Sequence, residues 1–334
     1  MTPKAPLRVV HFHRKPGPDQ HSLERVFATV REHLPPDIEA TSVYCPRPST
    51  GILNRIVNIL WARRNQGDVN HITGDVHYLA LGLNPARTIL TIHDCASLHR
   101  TSGPKRWLLW FFWFWLPLRR VAAITAVSEF TKSELVRYLG CNPHRIRVIA
   151  DPVPPGFSPT NHDPGPRPTV LQVGTGWNKN LDRVAEALKD VPCVLAVVGP
   201  LNHMQRQILE SNRIDFRSHV RATDERLRKL YTESDLVVFA SLYEGFGLPI
   251  IEAQAAGKPL VTSNSCSMPE VAGDGAHLVD PKDPGNIRTG ILRVLADAEY
   301  REQLVRKGND NVQRFIAADV AALYAACYLE TGRR

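Results

Sequence analysis

The sequence predicts an α/β protein built as two open parallel β-sheets, each covered by helices. Three observations carry this reading. A chain of 334 residues with 43% hydrophobic residues can bury a substantial core, and its length suggests about two domains. Short β-branched runs alternate with longer stretches of helical apolar spacing in both halves. Between the halves, Asp151 to Pro168 holds seven prolines with Gly156 and Gly165, a composition that sustains neither a helix nor a central strand.

In chain order, the first half offers strands at Leu7 to His13, Ile38 to Tyr44, Val69 to Thr73, Thr88 to His93 and Ala123 to Val127. Ile52, Ile56, Ile59 and Leu60 recur at helical spacing between two of them. Thr131 and Glu134 form a capping-box pattern before Leu135, and Gly140 is a plausible stop. The second half offers strands at Thr169 to Val173, Val194 to Val198, Leu236 to Ala240 and Pro259 to Ser263, with a helix marked by Leu181, Val184, Ala185 and Leu188. The expected divisions are residues 1–155 for a first domain, 156–168 for a linker, 169–312 for a second domain and 313–334 for a last amphipathic helix. No tandem repeat or low-complexity tract interrupts this plan.

Charge is unequal between the halves. Up to Pro155 there are 20 Lys+Arg against 11 Asp+Glu, a net of +9, and the remainder carries −1. Such a surface favours an anionic partner: nucleic acid, lipid headgroups or a phosphorylated acceptor. Cys45, Cys95, Cys141, Cys193, Cys266 and Cys327 lie far apart with no CxxC pair, which fits neither a zinc site nor a disulfide framework; they are expected to be reduced and mostly buried. The apolar run Trp107 to Leu118 has 12 residues, against the roughly 20 that a spanning helix needs. A cytoplasmic protein without a membrane span is therefore expected. Disorder, collagen and coiled coil are excluded.

In open parallel sheets, ligands bind beyond the carboxyl ends of strands, where loops converge and helix N-termini point unpaired N–H groups. The chemistry-bearing residues cluster at such ends: His11 and His13, His93-Asp94, Gly174 to Lys179, and Glu244 to Gly247. His11 and His13 have a period-two spacing that places both imidazoles on one side, but no third metal ligand is evident, so a satisfied polar role is preferred. In Ser241-Leu-Tyr-Glu-Gly-Phe-Gly-Leu-Pro-Ile-Ile-Glu252, Gly245 and Gly247 let backbone approach a ligand, and Pro249 suits the first turn of a helix that Gly257 and Pro259 end. Glu252 is read as a first-turn carboxylate able to accept hydrogen bonds from a ribose diol, with a helix-capping acid as the plain alternative.

The spacing of Glu244 and Glu252, seven residues apart, resembles the E-x7-E motif of the family-4 (group 1) retaining glycosyltransferases. The resemblance extends over nearly the whole chain: His93-Asp94 after a strand, Ala126-Val-Ser-Glu-Phe-Thr-Lys132, Val173-Gly-x-x-x-x-Lys179-Asn180-Leu, Leu230-Tyr-x-x-x-Asp235-Leu, and Met268-Pro-Glu270-Val-x-Gly273-Asp. It implies the GT-B fold, two Rossmann-like domains facing across a cleft, with the last helix crossing back to the first domain. It also implies a nucleotide-diphosphate sugar donor bound by the second domain. Glu252 would hold the ribose; Gly174, Thr175, Gly245, Phe246, Gly247 and Leu248 would surround the phosphates and sugar; Lys179 would bind the diphosphate. Glu244 would sit near the transferred sugar and His93 would reach a sugar hydroxyl. No metal or cofactor is required in this scheme, and no Asp-x-Asp of metal-dependent transferases occurs.

One departure from the pattern stands out: Gly174-Thr175-Gly176-Trp177-Asn178-Lys179 lacks the Arg that commonly accompanies the Lys, and a neutral side chain does not replace a guanidinium. The implied activity is transfer, with retention, to a glycan or lipid-linked acceptor in polysaccharide or glycolipid biosynthesis. A nucleotide-sugar epimerase or a non-catalytic sugar-nucleotide-binding protein is the alternative. A dinucleotide oxidoreductase is disfavoured because the third glycine of its fingerprint is missing. Nucleic-acid binding is disfavoured because the aromatic residues form one block. That block, Pro104 to Arg120, holds four of the six tryptophans between basic pairs. It fits either a buried helix or a segment resting on an anionic membrane, which would make the protein peripheral on the cytoplasmic face. The loop His11 to Ser22, with Arg14, Lys15 and Gly17, is expected on the acceptor side.

Overall fold

A computed structural model describes residues 5–17, 22–159 and 167–333. The expected acceptor-side loop is therefore described only in part, with Pro18 to His21 outside the described residues, as are Pro164 and Pro166 of the proline-rich segment. Two compact units emerge: Met1–Pro154 with Phe315–Arg334, and Pro155–Arg314.

In the first unit six parallel strands, β1 (Leu7–His13), β2 (Ile38–Tyr44), β3 (Val69–Ile72), β4 (Thr88–Ile92), β5 (Ala123–Ala126) and β6 (Ile146–Val148), run in the order β2-β1-β3-β4-β5-β6. In the second, β7 (Thr169–Val173), β8 (Val194–Val198), β9 (Asp215–His219), β10 (Leu236–Phe239), β11 (Leu260–Ser263) and β12 (His277–Val279) run in the order β12-β11-β10-β7-β8-β9. Renumbered within the unit, this is the doubly wound order 3-2-1-4-5-6, whose switch point lies between β7 and β10. The central strands are buried on both faces, β4 as Thr-Ile-Leu-Thr-Ile and β10 as Leu-Val-Val-Phe, because helices cover each side of a parallel sheet. The three strands not anticipated from sequence, β6, β9 and β12, are sheet edges. Of these, β9 reads Asp-Phe-Arg-Ser-His, with no residue fully buried.

The helices are α1 (Ser22–Glu32), α2 (Ile52–Arg64), α3 (Ala96–Arg100), α4 (Gly103–Leu109), α5 (Leu116–Arg119), α6 (Glu129–Leu139), α7 (Leu181–Leu188), α8 (His203–Ser211), α9 (Asp224–Thr232), α10 (Leu248–Ala255), α11 (Met268–Ala272), α12 (Pro284–Ala296), α13 (Ala298–Val312) and α14 (Ala317–Gly332). Helix α6 is capped differently from the expected box: Ser128 is the N-cap and its Oγ accepts from Thr131 N at 3.0 Å. Glu134 points instead to His99 at 2.6 Å. Gly140 ends the helix in the left-handed region at φ 62°.

Two helices depart from simple sheet coverage. On α2 the apolar residues Ile52, Leu53, Ile56, Val57 and Leu60 are exposed, Leu53 to 80%, while the buried positions are Asn58 and Ala62. Asn58 Nδ2 donates to Arg47 O and Tyr78 Oη, both at 2.9 Å, which explains how an amide occupies the inner face. The aromatic block forms α4, a π-helical stretch Trp110–Trp115, and α5. Pro117 has no N–H to offer the Trp113 carbonyl four residues earlier, and His77 Nδ1 donates to that oxygen instead, at 3.0 Å. Phe114, Pro117 and Leu118 are buried, whereas Trp107, Leu108 and Phe112 are exposed.

By length and composition the stretch Ala298–Gly332 is apolar enough to cross a membrane. It is two helices broken at Gln313–Ile316, the first in one unit and α14 in the other. Val320, Ala321, Tyr324, Ala325, Cys327 and Tyr328 of α14 are buried in the first unit. None of the six cysteines is in a disulfide; four are buried and Cys141 and Cys266 half-buried.

Candidate active site

The loops leaving β7 and β10 meet at the switch point of the second unit. β7 is followed by Gly174, whose φ of +93° suits glycine, and a Cβ there would lie 2.9 Å from Lys179 Cε. The chain then makes a short turn over Trp177–Lys179, and Asn180 follows at φ 58°. Asn180 is held in that conformation by donating to Ala240 O at 2.9 Å and Pro281 O at 2.6 Å. This turn folds Lys179 back over Gly174.

Lys179 Nζ reaches Glu244 Oε1 at 2.6 Å, and Asn178 Nδ2 donates to the same oxygen at 2.9 Å. The ammonium also sits 4.6 Å from the centre of the Phe239 ring. The two charged side chains are 20% and 14% exposed, so the pair is sheltered yet reachable. Two further bonds tie the loops together: Leu242 N donates to Asn178 O at 2.7 Å and Asn178 Nδ2 to Tyr243 O at 3.0 Å. Thr175 lies to the other side, its Oγ1 donating to Pro200 O at 2.7 Å.

After Glu244 the glycine loop Gly245-Phe246-Gly247 leads into α10. Ser267 Oγ lies 2.9 Å from Glu244 O and 2.8 Å from Phe246 O, which anchors these carbonyls inward. Gly247, at φ 104°, is the N-cap, and having no side chain it leaves the positive end of α10 without the cap that a Ser, Thr, Asp or Asn would supply. Glu252 corrects one expectation. With α10 starting at Leu248, it is the fifth helical residue and lies beyond the first turn. Its side chain is buried, and Tyr231 Oη donates to Oε2 at 2.7 Å.

The structure thus brings Gly174, Lys179 and Glu244 into contact, sets Gly245 to Leu248 beside them in the chain, and gives Glu252 a separate partner one helical turn further on. Asn178, Ser267 and Tyr231 are participants that the sequence reading missed. Asn178 carried a signal, its position directly before the Lys, whereas Ser267 and Tyr231 arrive from distant segments. Arg183, the nearest following guanidinium, is engaged with Asn180 Oδ1 at 3.0 Å.

In the first unit, His93 follows β4 and its Nε2 donates to Thr73 O at 2.9 Å. It lines a cavity of about 390 Å³ at the switch point between β1 and β3, with Arg14, Arg55, Asp75, His77 and Trp113 among the walls. Arg14 is paired with Glu24 at 3.3 Å and Asp75 at 3.7 Å. Burial pushes His77 down to about 4. Behind the cavity, Tyr328 Oη of α14 bonds both His11 Nε2 at 2.9 Å and His71 Nδ1 at 2.8 Å. His13 contacts Thr73 Oγ1 at 3.0 Å. Burial lowers His11 and His71 well below the ordinary imidazole value and His13 to about 3. Asp151 is buried with one oxygen lacking a hydrogen-bond partner among the described residues, and desolvation raises it to about 6. Among the described residues no group of three or more His, Cys, Asp or Glu could hold a metal ion.

Comparison with known proteins follows the same two-unit division. Residues 7–157 match the family model described as Glycosyltransferase Family 4, and residues 158–311 the one described as Glycosyl transferases group 1. The O-antigen chain mannosyltransferase B of Escherichia coli is 44% identical over 92 residues, 28% of this chain and 24% of that protein. The serotype-specific mannosyltransferase WbdA of Escherichia coli is 25% identical over 269 residues, 72% of this chain and 33% of the relative. The matches span about a quarter to a third of the length of these relatives. Among solved structures, Anabaena Alr3699/HepE in complex with UDP and glucose has a TM-score of 0.74 at 16% identity, over 96% of this chain and 99% of that one. Two contiguous family matches over two parallel six-stranded sheets, with a fold likeness along the chain, lead to one assignment: the chain belongs to the group 1, family-4 glycosyltransferases of GT-B fold.

Proposed function

We propose that this chain transfers a sugar from a nucleotide-diphosphate sugar to a glycan or lipid-linked acceptor in polysaccharide or glycolipid biosynthesis, with retention and without a metal ion. The observation that carries the reading is the sheltered Lys179–Glu244 pair beside two glycine loops at the β7/β10 switch point. The names of the relatives favour a mannosyl group as the first sugar to test.

Glycosyl transfer develops positive charge at the anomeric carbon and negative charge on the departing diphosphate. Lys179 supplies the cation for that diphosphate, exchanging its contact with Glu244 for phosphate oxygens, and the amides around Gly245 to Leu248 add fixed donors. Gly174 and Thr175 let the backbone pass close to the phosphates. Glu252, oriented by Tyr231, holds the ribose hydroxyls. Glu244, released from Lys179, faces the transferred sugar. In the tautomer that donates Nε2–H to Thr73, His93 has Nδ1 to accept from a sugar hydroxyl. With Glu252 committed to ribose, a same-face substitution is preferred, in which the bond to the diphosphate breaks as the acceptor oxygen attacks and its proton passes to the leaving phosphate. The setting is the cytoplasmic face of a membrane, with peripheral contact through residues 104–120 and no role for nucleic acid.

The test is a thermal-shift screen with UDP, GDP, ADP and their hexose conjugates, followed by transfer assays with the donor that binds. The reading expects one nucleotide to raise the melting temperature, the product to keep the donor's anomeric configuration, and chelator to leave the rate unchanged. Hydrolysis or epimerisation without transfer, inversion, or a glycosylated Glu244 would each overturn the part of the scheme it touches.

A further inference from the structure

Helix α2 has its amphipathicity reversed. Ile52, Leu53, Ile56, Val57 and Leu60 form a single helical stripe, and all five are exposed. The same unit exposes Trp107, Leu108 and Phe112 from the aromatic run. The two surfaces are joined: the Arg55 guanidinium of α2 lies 4.9 Å from the centre of the Trp113 ring, and Arg55, Leu109 and Trp113 line the cavity that holds His93.

The surrounding charge identifies the occupant. Residues 40–67 contain Arg47, Arg55, Arg63 and Arg64 and no Asp or Glu. Residues 95–128 contain Arg100, Lys105, Arg106, Arg119 and Arg120 and likewise no Asp or Glu. Arg47, Arg63, Arg64, Lys105 and Arg106 are exposed at the ends of the apolar elements. Acidic groups near these segments include Asp68, directly after the first, and Asp75 and Asp94 in the cavity wall, where Asp75 is paired with Arg14. An apolar stripe on a segment whose own charges are all cationic, with tryptophan at its edge, is complementary to an anionic bilayer: aliphatic side chains enter the acyl boundary while guanidinium groups meet phosphates.

We infer that α2 and the aromatic run form one bilayer-docking surface, with α2 as its principal inserting element. This docking stands apart from donor binding and from the transferase reading above.

Flotation of the full chain with phosphatidylglycerol–phosphatidylcholine vesicles tests this, alongside pure phosphatidylcholine vesicles. The wild type is expected to float with the anionic vesicles and to be released by salt. Leu53→Glu combined with Ile56→Glu is expected to weaken vesicle binding by about tenfold or more, with Trp107→Ser giving a smaller loss. Ile52→Ser with Leu60→Ser provides a second pair, and thermal melts of each variant report on folding. No vesicle binding by the wild type, or equal binding by the α2 variants, overturns the proposal. So does a wild-type dimer that the α2 variants dissociate with no change in flotation, since the stripe would then be a protein interface. The nucleotide-induced thermal shift is measured on the same samples. If it is absent while flotation behaves as expected, the docking stands and the donor-binding reading falls.

Discussion

Each sheet has a point where its strand order reverses, and the two units equip that point in opposite ways. Between β7 and β10 lies a charged pair, Lys179 with Glu244, sheltered but within reach of solvent. Between β1 and β3 lie His11, His13 and His71, buried, held neutral by desolvation and engaged by Tyr328, Thr73 and neighbours. Topology chooses where a crevice forms; residue chemistry chooses whether it is kept for a ligand or used to bind the chain's own last helix. In the first unit the histidines do the latter, and the cavity in front of them is walled by Arg14, Arg55, Asp75 and His93.

The sharpest way to break this contrast is Lys179→Ala. If the charged crevice serves the diphosphate, transfer falls by about 10²–10³-fold and the nucleotide-induced thermal shift disappears; unchanged turnover would move the donor elsewhere. Gly174→Ala should follow closely. It forces a Cβ to 2.9 Å from Lys179 Cε at φ +93°, costing roughly 1–3 kcal/mol in urea unfolding and displacing the ammonium.

In the other unit, Tyr328→Phe removes the hydroxyl shared by His11 and His71. It should cost about 1–3 kcal/mol of stability while leaving nucleotide binding intact, and a loss of binding would blur the division of labour.

Acid should act on the histidine crevice. Imidazoles lowered on folding contribute stability that is present above their unfolded value near 6.5 and lost as pH falls toward the folded values, about 4 for His77 and about 3 for His13. Asp151, raised to about 6, acts in the opposite sense: its contribution is present at low pH and lost as pH rises through 6. Melting temperature should therefore drop between pH 6.5 and 4, and Asp151→Asn should raise it at pH 7 and steepen that drop. A flat profile in both would remove the histidines from the account.

Most of the architecture was legible because buried parallel strands are apolar on both faces. Thr169–Val173 and Val194–Val198 emerge with the bounds read from sequence. The missed strands β6, β9 and β12 are edges, where one side is open and composition turns polar. Helical periodicity was less complete a guide. On α7, Leu181, Val184, Ala185 and Leu188 recur and are buried; on α2, Ile52, Ile56 and Leu60 recur and are exposed. Spacing reports that an apolar face exists, not what covers it. The residues of the charged crevice were readable because Lys179 and Glu244 each sit in the loop that follows a strand. Their supporting contacts from Asn178, Ser267 and Tyr231 depend on how remote segments fold together, which a linear pattern does not encode.

The placement of α14 bears on how the chain is made. The first unit shields His11, His71 and Phe27 with Tyr324 and Tyr328, residues that follow the entire second unit in sequence. During synthesis the amino-terminal sheet thus leaves the ribosome with one flank uncovered, and the later unit can close its own core before the earlier one is finished. The order of completion in such a chain is the reverse of its order of translation.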